Sequence, residues 1–190
     1  MNYCEYTAMA KKKTYKIGLV DADLLNGGTR HPNLVLLKIA GFLKDHNIEF
    51  HLIIDKDEDI APYDVVYMSK VFSYTPNPPF YEKAIGTRNE KKFVIGGTGG
   101  YAIEKSIKTF QSARTQDMMQ LENDKFLNKF TNKSGGDKKK GIDMRRQMPY
   151  YDLYKDYIKT KIEEGRRQSY FNDYLYYSIG FLTRGCIRHC

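Results

Sequence analysis

Two cysteines four residues apart, Cys186 and Cys190, are the residues of this 190-residue sequence whose type and spacing most clearly indicate chemistry. They follow a short apolar stretch and the tripeptide Thr-Arg-Gly at 183–185. Cysteine thiolates are the usual ligands of iron-sulfur clusters, and closely spaced cysteines also begin many zinc sites. The spacing alone therefore leaves three alternatives open, which are an iron-sulfur centre, a zinc site and a pair of free thiols.

The remaining candidate metal ligands show no pattern of their own. No metal-ligand spacing connects the four histidines, which we interpret as surface or capping residues: His31, His46, His51 and His189. The third cysteine, Cys4, lies in an unpatterned leader that we expect at 1–14. Three cysteines, two of them close together near one end, do not form a disulfide framework, so we expect a reducing compartment.

The elements that must position these residues are predicted from short apolar runs. Buried strands are expected at 15–20, 50–54, 63–68 and 92–95, because these segments are apolar and rich in β-branched residues. Between the first two strands, apolar residues recur at helical spacing, and we place Pro32 in the first turn of that helix and its end at His46 and Asn47. The helical positions are Leu36, Ile39, Ala40 and Leu43.

Alternation of strands and helices predicts a parallel sheet with right-handed crossovers. We therefore expect an α/β domain at 15–103, a doubly wound, mostly parallel sheet of Rossmann-like or flavodoxin-like type. Ligands of such sheets bind beyond the carboxyl ends of the strands. Segments 21–30, 69–77 and 96–100 should meet there.

These three segments contain the candidate cofactor-binding residues Asp21, Asp23, Gly96, Gly97 and Gly99. Glycines allow close approach of a ligand to the backbone, yet the run matches neither nucleotide-binding glycine fingerprint. A plain turn from strand to helix is the alternative. In the second segment, Lys70 or Ser73 is a further candidate for a functional contact.

The net charge of +8 is concentrated in one stretch. Residues 104–148 hold eleven Lys or Arg and six Asp or Glu in a low-complexity mixture, so we expect a solvated basic insertion. Nucleic-acid binding through 104–146 is the alternative. No apolar run approaches the roughly 20 residues of a membrane span, and the start lacks the layout of a signal peptide, so a cytoplasmic protein without membrane partners is expected.

Downstream of the insertion, a tyrosine-rich turn at 148–154 precedes a short charged helix that ends near Glu164. Residues 174–182 then alternate and concentrate β-forming side chains, so we predict a strand there. We treat 149–173 as a linker between two domains.

The sequence from 179 to 190, Ile-Gly-Phe-Leu-Thr-Arg-Gly-Cys-Ile-Arg-His-Cys, resembles the first barrel strand and the CxxxCxxC cluster loop of radical S-adenosylmethionine (SAM) proteins. Residues 67–76 and 96–99 resemble the cobalamin-binding-like N-terminal domain found in one group of these proteins. The turn at 148–154 is similar to the Pro-x-Tyr-x-Leu-Tyr linker that joins the two domains. Residues 174–190 would then begin a β/α barrel that the chain leaves incomplete.

This resemblance implies that Cys186 and Cys190 are ligands of a 4Fe-4S cluster whose open iron binds SAM, and that Thr183 and Arg184 shape the loop. It also implies an electron donor such as a flavodoxin or ferredoxin. Reductive cleavage of SAM would start radical chemistry on a substrate that the sequence does not identify. The third cysteine of the loop is absent, so we expect an inactive fragment.

Cobalamin is a further expectation that the resemblance raises. Domains that bind it often carry Asp-x-His-x-x-Gly after the first strand, whereas this chain has Asp21-Ala-Asp23. Histidine ligation to cobalt from that motif is therefore excluded, and cobalamin binding is left without support. The alternative from another class is a small-ligand or partner-binding module that is not an enzyme.

Overall fold

The computed structural model describes residues 14–97, 99–100, 114–115, 121, 124–131, 142–144 and 146–180. Its centre is an all-parallel sheet in the order β2-β1-β3-β4-β5. The two-residue β5 extends a sheet of four longer strands. The strands are β1 (Lys16–Asp21), β2 (Glu49–Leu52), β3 (Val65–Ser69), β4 (Phe93–Gly96) and β5 (Arg114–Thr115).

The predicted α/β class is confirmed, and the strand order is compatible with a flavodoxin-like fold. Each of the four strands predicted between 15 and 95 overlaps an observed one, with ends that differ by one or two residues. Ladder hydrogen bonds decide these ends, and apolar composition does not report them.

Helices pack against both faces of the sheet. The described helices are α1 (Ala22–Leu25), α2 (Leu34–Asp45), α3 (Pro79–Ala84), α4 (Lys155–Glu163) and α5 (Asn172–Leu175). Side chains of β1 alternate between the faces, as period-two geometry requires: Ile17 and Leu19 join the core under α2, and Val20 joins the core under α3.

The predicted helix forms as α2, but Pro32 lies outside it. Asn33 caps the helix, and its side-chain oxygen accepts hydrogen bonds from the backbone N–H groups of Val35 at 3.2 Å and Leu36 at 3.3 Å. An asparagine at this position satisfies two donors that the first helical turn leaves unpaired, so the cap decides where the helix begins. Upstream, the expected open loop after β1 contains the short helix α1.

The linker crosses α2 and packs on the same face of the sheet. The backbone N–H of Tyr150 donates to the carbonyl of Leu37 at 2.8 Å. At the crossing, a Cβ on Gly41 would lie 2.0 Å from the carbonyl oxygen of Met148, so only glycine allows this approach. The charged helix predicted to follow is observed as α4.

The stretch expected to be a solvated insertion contributes several residues to the core, although other described side chains in it are exposed. Leu121, Phe126, Leu127, Ile142 and Met144 are all buried in the core under α2. A few spaced apolar residues attach this largely polar stretch to the core. Its low-complexity composition did not indicate that they would be buried. The sheet domain therefore draws on residues beyond 103.

The predicted strand at 174–182 does not form over its described part. Residues 174–175 end helix α5, and 176–180 have no regular structure. A strand is stable only with hydrogen-bonded neighbours, and β propensity alone does not supply them. Residues 181 and 182 lie outside the described residues.

Candidate functional site

The carboxyl ends of β1, β3 and β4 open onto a cavity of about 440 Å³. The loop between α1 and α2, the loop after β3 and the turn after β4 surround it. This is the place where ligands of parallel sheets bind. The lining residues are Asp21, Asp23, Thr29, His31, Pro32, Asn33, Leu34, Val35, Ser69, Val71, Phe72, Gly97 and Ile179.

Asp21, the last residue of β1, is 2% exposed and uses both carboxylate oxygens. One accepts from the backbone N–H of Leu24 at 3.2 Å and thereby caps α1. The other accepts from the hydroxyl of Tyr154 at 2.9 Å. Burial raises the pKa of Asp21 to about 6, although both hydrogen bonds oppose the rise. Asp21 can therefore take up or release a proton close to neutral pH.

Asp23 is 6% exposed, and it fastens α1 to the loop that follows β3. One oxygen accepts from the backbone N–H of Val71 at 2.7 Å, and the other accepts from the hydroxyl of Thr75. The side chain of Asn26 strengthens the same junction by donating to the carbonyl of Pro76 at 3.1 Å. Both predicted aspartates thus reach the carboxyl edge, where they hold neighbouring loops.

The three candidate glycines lie where the turn after β4 packs against the loop after β3. Gly96 ends β4, and its carbonyl accepts from the N–H of Lys70 at 2.9 Å. Gly97 has a φ of +91°, and a Cβ there would lie 2.3 Å from the carbonyl oxygen of Lys70. A Cβ on Gly99 would lie 2.5 Å from the carbonyl oxygen of Phe72. Contact between the two loops thus accounts for Gly97 and Gly99.

Lys70 and Ser73 differ in their surroundings. Lys70 is buried, and its ammonium group donates to the side chain of Asn77 at 3.0 Å. Desolvation lowers the pKa of Lys70, and the nearby Asp23 opposes that change. Ser73 is exposed and does not line the cavity. Lys70 therefore stiffens the loop after β3 at the rim of the cavity.

Asn33 and Ser69 are site residues that the sequence patterns missed. The amide of Asn33 donates to the hydroxyl of Ser69 at 2.8 Å, which joins the start of α2 to the end of β3. The Ser69 hydroxyl can still donate its own hydrogen, because a hydroxyl is both donor and acceptor. Asn33 could have been predicted as a helix cap, because asparagine is a preferred capping residue and it stands between a turn-rich loop and a helical pattern.

Two tyrosines of the linker region close one side of the cavity. Tyr154 is buried over Asp21, and its oxygen also accepts from the backbone N–H of Asn33 at 3.2 Å. Tyr174 packs edge to face on Tyr154 with ring centroids 5.2 Å apart, and its hydroxyl donates to the carbonyl of Thr29 at 2.9 Å. The chain then runs along the cavity, which Ile179 lines.

The opposite rim is apolar and exposed. Val71, Phe72 and Tyr74 are at least two fifths exposed, and the rings of Phe72 and Tyr74 stack at 5.2 Å. Apolar lining with a few fixed polar groups is typical of small-molecule sites. The arrangement is suited to binding an organic ligand whose polar end reaches the Ser69 hydroxyl.

No metal centre forms in the part of the chain that is described, since it contains no group of three or more His, Cys, Asp or Glu able to hold an ion. His31 pairs with Asp173, His51 lies 2.8 Å from Glu49, and His46 caps α2. Several predicted site residues lie outside the described residues: Cys4, Thr183, Arg184, Cys186, His189 and Cys190. The lysines at 138–140 lie outside them as well, so nucleic-acid binding there stays a prediction.

The functional assignment of this chain depends on its own residues. Within the described ranges, no helix is long and apolar enough to cross a membrane. The resemblance to radical SAM proteins rests on the motifs quoted above. No family model, curated protein or solved structure matches this chain.

Proposed function

We propose that this chain belongs to a radical SAM enzyme. In it, a flavodoxin-like domain holds a small organic ligand at the carboxyl edge of its sheet, and the following segment supplies the cysteine loop. The observation that carries the proposal is the position of Ile179, which lines the cavity and precedes Cys186 by seven residues. The chain therefore leaves for its cysteine pair from the edge where such sheets bind ligands.

Chain length limits how far the cysteines can lie from that edge. Seven residues span at most about 25 Å when fully extended. Tyr154 and Tyr174 hold the preceding chain against the edge through hydrogen bonds to Asp21 and Thr29. These contacts favour a ligand site and a cysteine loop that belong to one functional centre.

The donor set fits an iron-sulfur cluster in chemical type. Cys186 and Cys190 would hold two irons of a 4Fe-4S cluster, which when bound supplies the electron that splits SAM. In the described structure Asp21 and Asp23 hold loops, since each of their oxygens accepts a hydrogen bond from a neighbouring segment. This chain's own residues would instead orient and desolvate the ligand.

Cobalamin fits the described residues poorly as a histidine-ligated cofactor. Asp23 stands where a cobalt-binding histidine would stand, and its side chain holds the loop after β3. His31 also lines the cavity, but it pairs with Asp173. We therefore propose no cobalamin step.

Anaerobic reconstitution with iron and sulfide tests the cysteine assignment. We expect the wild-type chain to bind iron substoichiometrically, since its loop offers two thiolates. Cys186→Ala and Cys190→Ala should each lower the bound iron and the absorbance of the cluster, whereas the matched control Cys4→Ala should retain both. We expect no 5′-deoxyadenosine from SAM with this chain.

Two results would contradict the proposal. If Cys4→Ala lost as much iron as the other two variants, iron would be bound by any thiol of the chain and not specifically by Cys186 and Cys190. Unchanged iron content in the double variant Cys186→Ala/Cys190→Ala would remove the cysteine pair from the centre altogether.

A binding module without iron-sulfur chemistry is the second candidate, and the cavity of about 440 Å³ favours it. Its size lies in the usual range for small-molecule sites. In this case a ligand found by screening would bind with equal affinity to wild type and Cys186→Ala, and Val35→Glu, which places a charge in the lining, would abolish binding. Iron would bind to neither protein specifically.

A further inference from the structure

A second cavity, of about 370 Å³, is lined by Arg30, Arg166, Arg167, Ser169 and Tyr170. Three of its five lining residues are arginines. They come from two separate parts of the chain, the loop before α2 and the turn after α4. Guanidinium groups remain charged at every physiological pH, so the cavity concentrates three positive charges.

Local contacts hold these arginines in position. The backbone N–H of Arg166 donates to the carbonyl of Lys161 at 2.9 Å after Gly165, whose φ is +94°. The Arg166 guanidinium lies over the ring of Tyr170, 5.0 Å from its centroid. Next to Arg30, Thr29 bonds to Tyr174, which fixes the first loop against the second segment.

Within the described residues, none of the three guanidinium groups pairs with a carboxylate. Two acidic residues of the same segment have other partners, since Asp173 pairs with His31 and Glu164 lies 2.7 Å from Lys161. Like charges gathered in one cavity repel each other, and a bound anion relieves that repulsion. Planar guanidinium groups match phosphate oxygens two at a time, which makes arginine the preferred residue for phosphate recognition.

We propose that this arginine cavity binds a small molecule carrying two linked phosphate groups. A single phosphate carries up to about −2, whereas two carry a charge of about −3 or more, which balances the three guanidinium groups. The hydroxyl of Ser169 supplies an additional donor. The ring of Tyr170 orients Arg166 beneath the ligand. No residue lines both this cavity and the carboxyl-edge cavity, although Arg30 stands between Thr29 and His31 of the latter.

Calorimetric titration of the full chain with inorganic pyrophosphate, at low ionic strength and without iron, tests this site. We expect saturable binding with one site per chain and weaker binding of orthophosphate. Each of Arg30→Gln, Arg166→Gln and Arg167→Gln should weaken pyrophosphate binding by about tenfold or more, the effect of one charge-assisted hydrogen bond. The matched control Arg88→Gln, an exposed arginine before β4, should bind as wild type does.

Several outcomes overturn the proposal. They are the absence of saturable binding, unchanged affinity in the triple arginine variant, and equal weakening in Arg88→Gln. An oligonucleotide that binds more tightly than pyrophosphate, and loses affinity in the same variants, would assign the cavity to a nucleic-acid backbone instead. All three arginines are exposed, so thermal melting should show the variants folded. Because no iron is present, failure here leaves the cysteine proposal untouched.

Discussion

The burial of Asp21 should make this protein less stable as pH rises from about 4 to about 6. Its pKa is about 6 in the folded protein and 3.8 in a solvated chain. Between these values the folded state holds a proton that the unfolded state has released. Stabilisation is therefore complete below the lower pKa and is lost as pH rises through the higher one.

The magnitude follows from the difference between the two pKa values. A difference of about 2 corresponds to roughly 3 kcal/mol of unfolding free energy, at about 1.4 kcal/mol for each pH unit. Desolvation is the largest cause, and the neighbouring Asp23 adds to the rise. The hydrogen bonds from Tyr154 and Leu24 act in the opposite direction, because they stabilise the charged carboxylate.

Urea denaturation at a series of pH values between about 3.5 and 7.5 measures this effect. Other carboxyl groups titrate in the same range, so the informative quantity is the difference between wild type and Asp21→Asn, which has no proton to exchange at this position. Relative to the variant, wild type should lose roughly 3 kcal/mol across the window. The exposed control Asp57→Asn should show no such relative change.

Tyr154→Phe tests the direction in which the hydrogen bond acts. Losing the hydroxyl removes a contact that lowers the folded-state pKa of Asp21, so the upper end of the pH window should rise while its lower end stays in place. The variant should also lose about 1–3 kcal/mol, because a buried acceptor loses its partner. A difference between wild type and Asp21→Asn that stays constant with pH, or grows in favour of wild type as pH rises, would refute the burial argument.

Three further predictions concern the linker crossing, the turn after β4 and cobalamin; urea denaturation tests the first two, and spectroscopy tests the third. Gly41→Ala should destabilise the protein, because the new Cβ would lie 2.0 Å from the Met148 carbonyl oxygen. Alanine is favoured over glycine within a helix by about 1 kcal/mol, so a gain in stability would contradict the linker crossing. Gly97→Val should cost about 1–3 kcal/mol from its positive φ and more from contact with Lys70, whereas Gly27→Val, with φ of +131° and no atom within 4 Å, should pay the strain alone. Spin resonance of cob(II)alamin added to the chain should show no nitrogen splitting from a histidine ligand, and such splitting would contradict the assignment of the Asp23 position.

The sheet could be predicted from the sequence because its signals are local. Each of the four longer strands overlaps a short, largely apolar run of the sequence. The alternation of strands with the helix α2 implies that the strands pair in parallel. The same logic brought Asp21, Asp23 and the glycines of 96–99 to one edge. Once strands are assigned as parallel, the ends of neighbouring strands must share an edge.

The roles of these residues could not be predicted, because they depend on contacts between distant parts of the chain. The sequence does not indicate that the oxygens of Asp23 accept hydrogen bonds from Val71 and Thr75, which lie about fifty positions away. A positive φ at Gly97 is compatible with a ligand or with a neighbouring loop, and the described structure shows the close approach of a loop at the carbonyl of Lys70. Sequence spacing does not contain this information, because it is set by the approach of the loops.

The linker and the titration of Asp21 are two aspects of one contact. Tyr154 donates to Asp21 from 133 positions away in sequence and is itself buried, so the docked linker contributes to the surroundings of the carboxylate. Protonation of Asp21 removes the cost of desolvating a charge, and ionisation restores that cost. The docked linker therefore acts in two opposite directions, since burial raises the pKa of Asp21 and the hydrogen bond from Tyr154 lowers it. The net rise of the pKa to about 6 means that burial outweighs the hydrogen bond, and Tyr154→Phe isolates the smaller of these two effects.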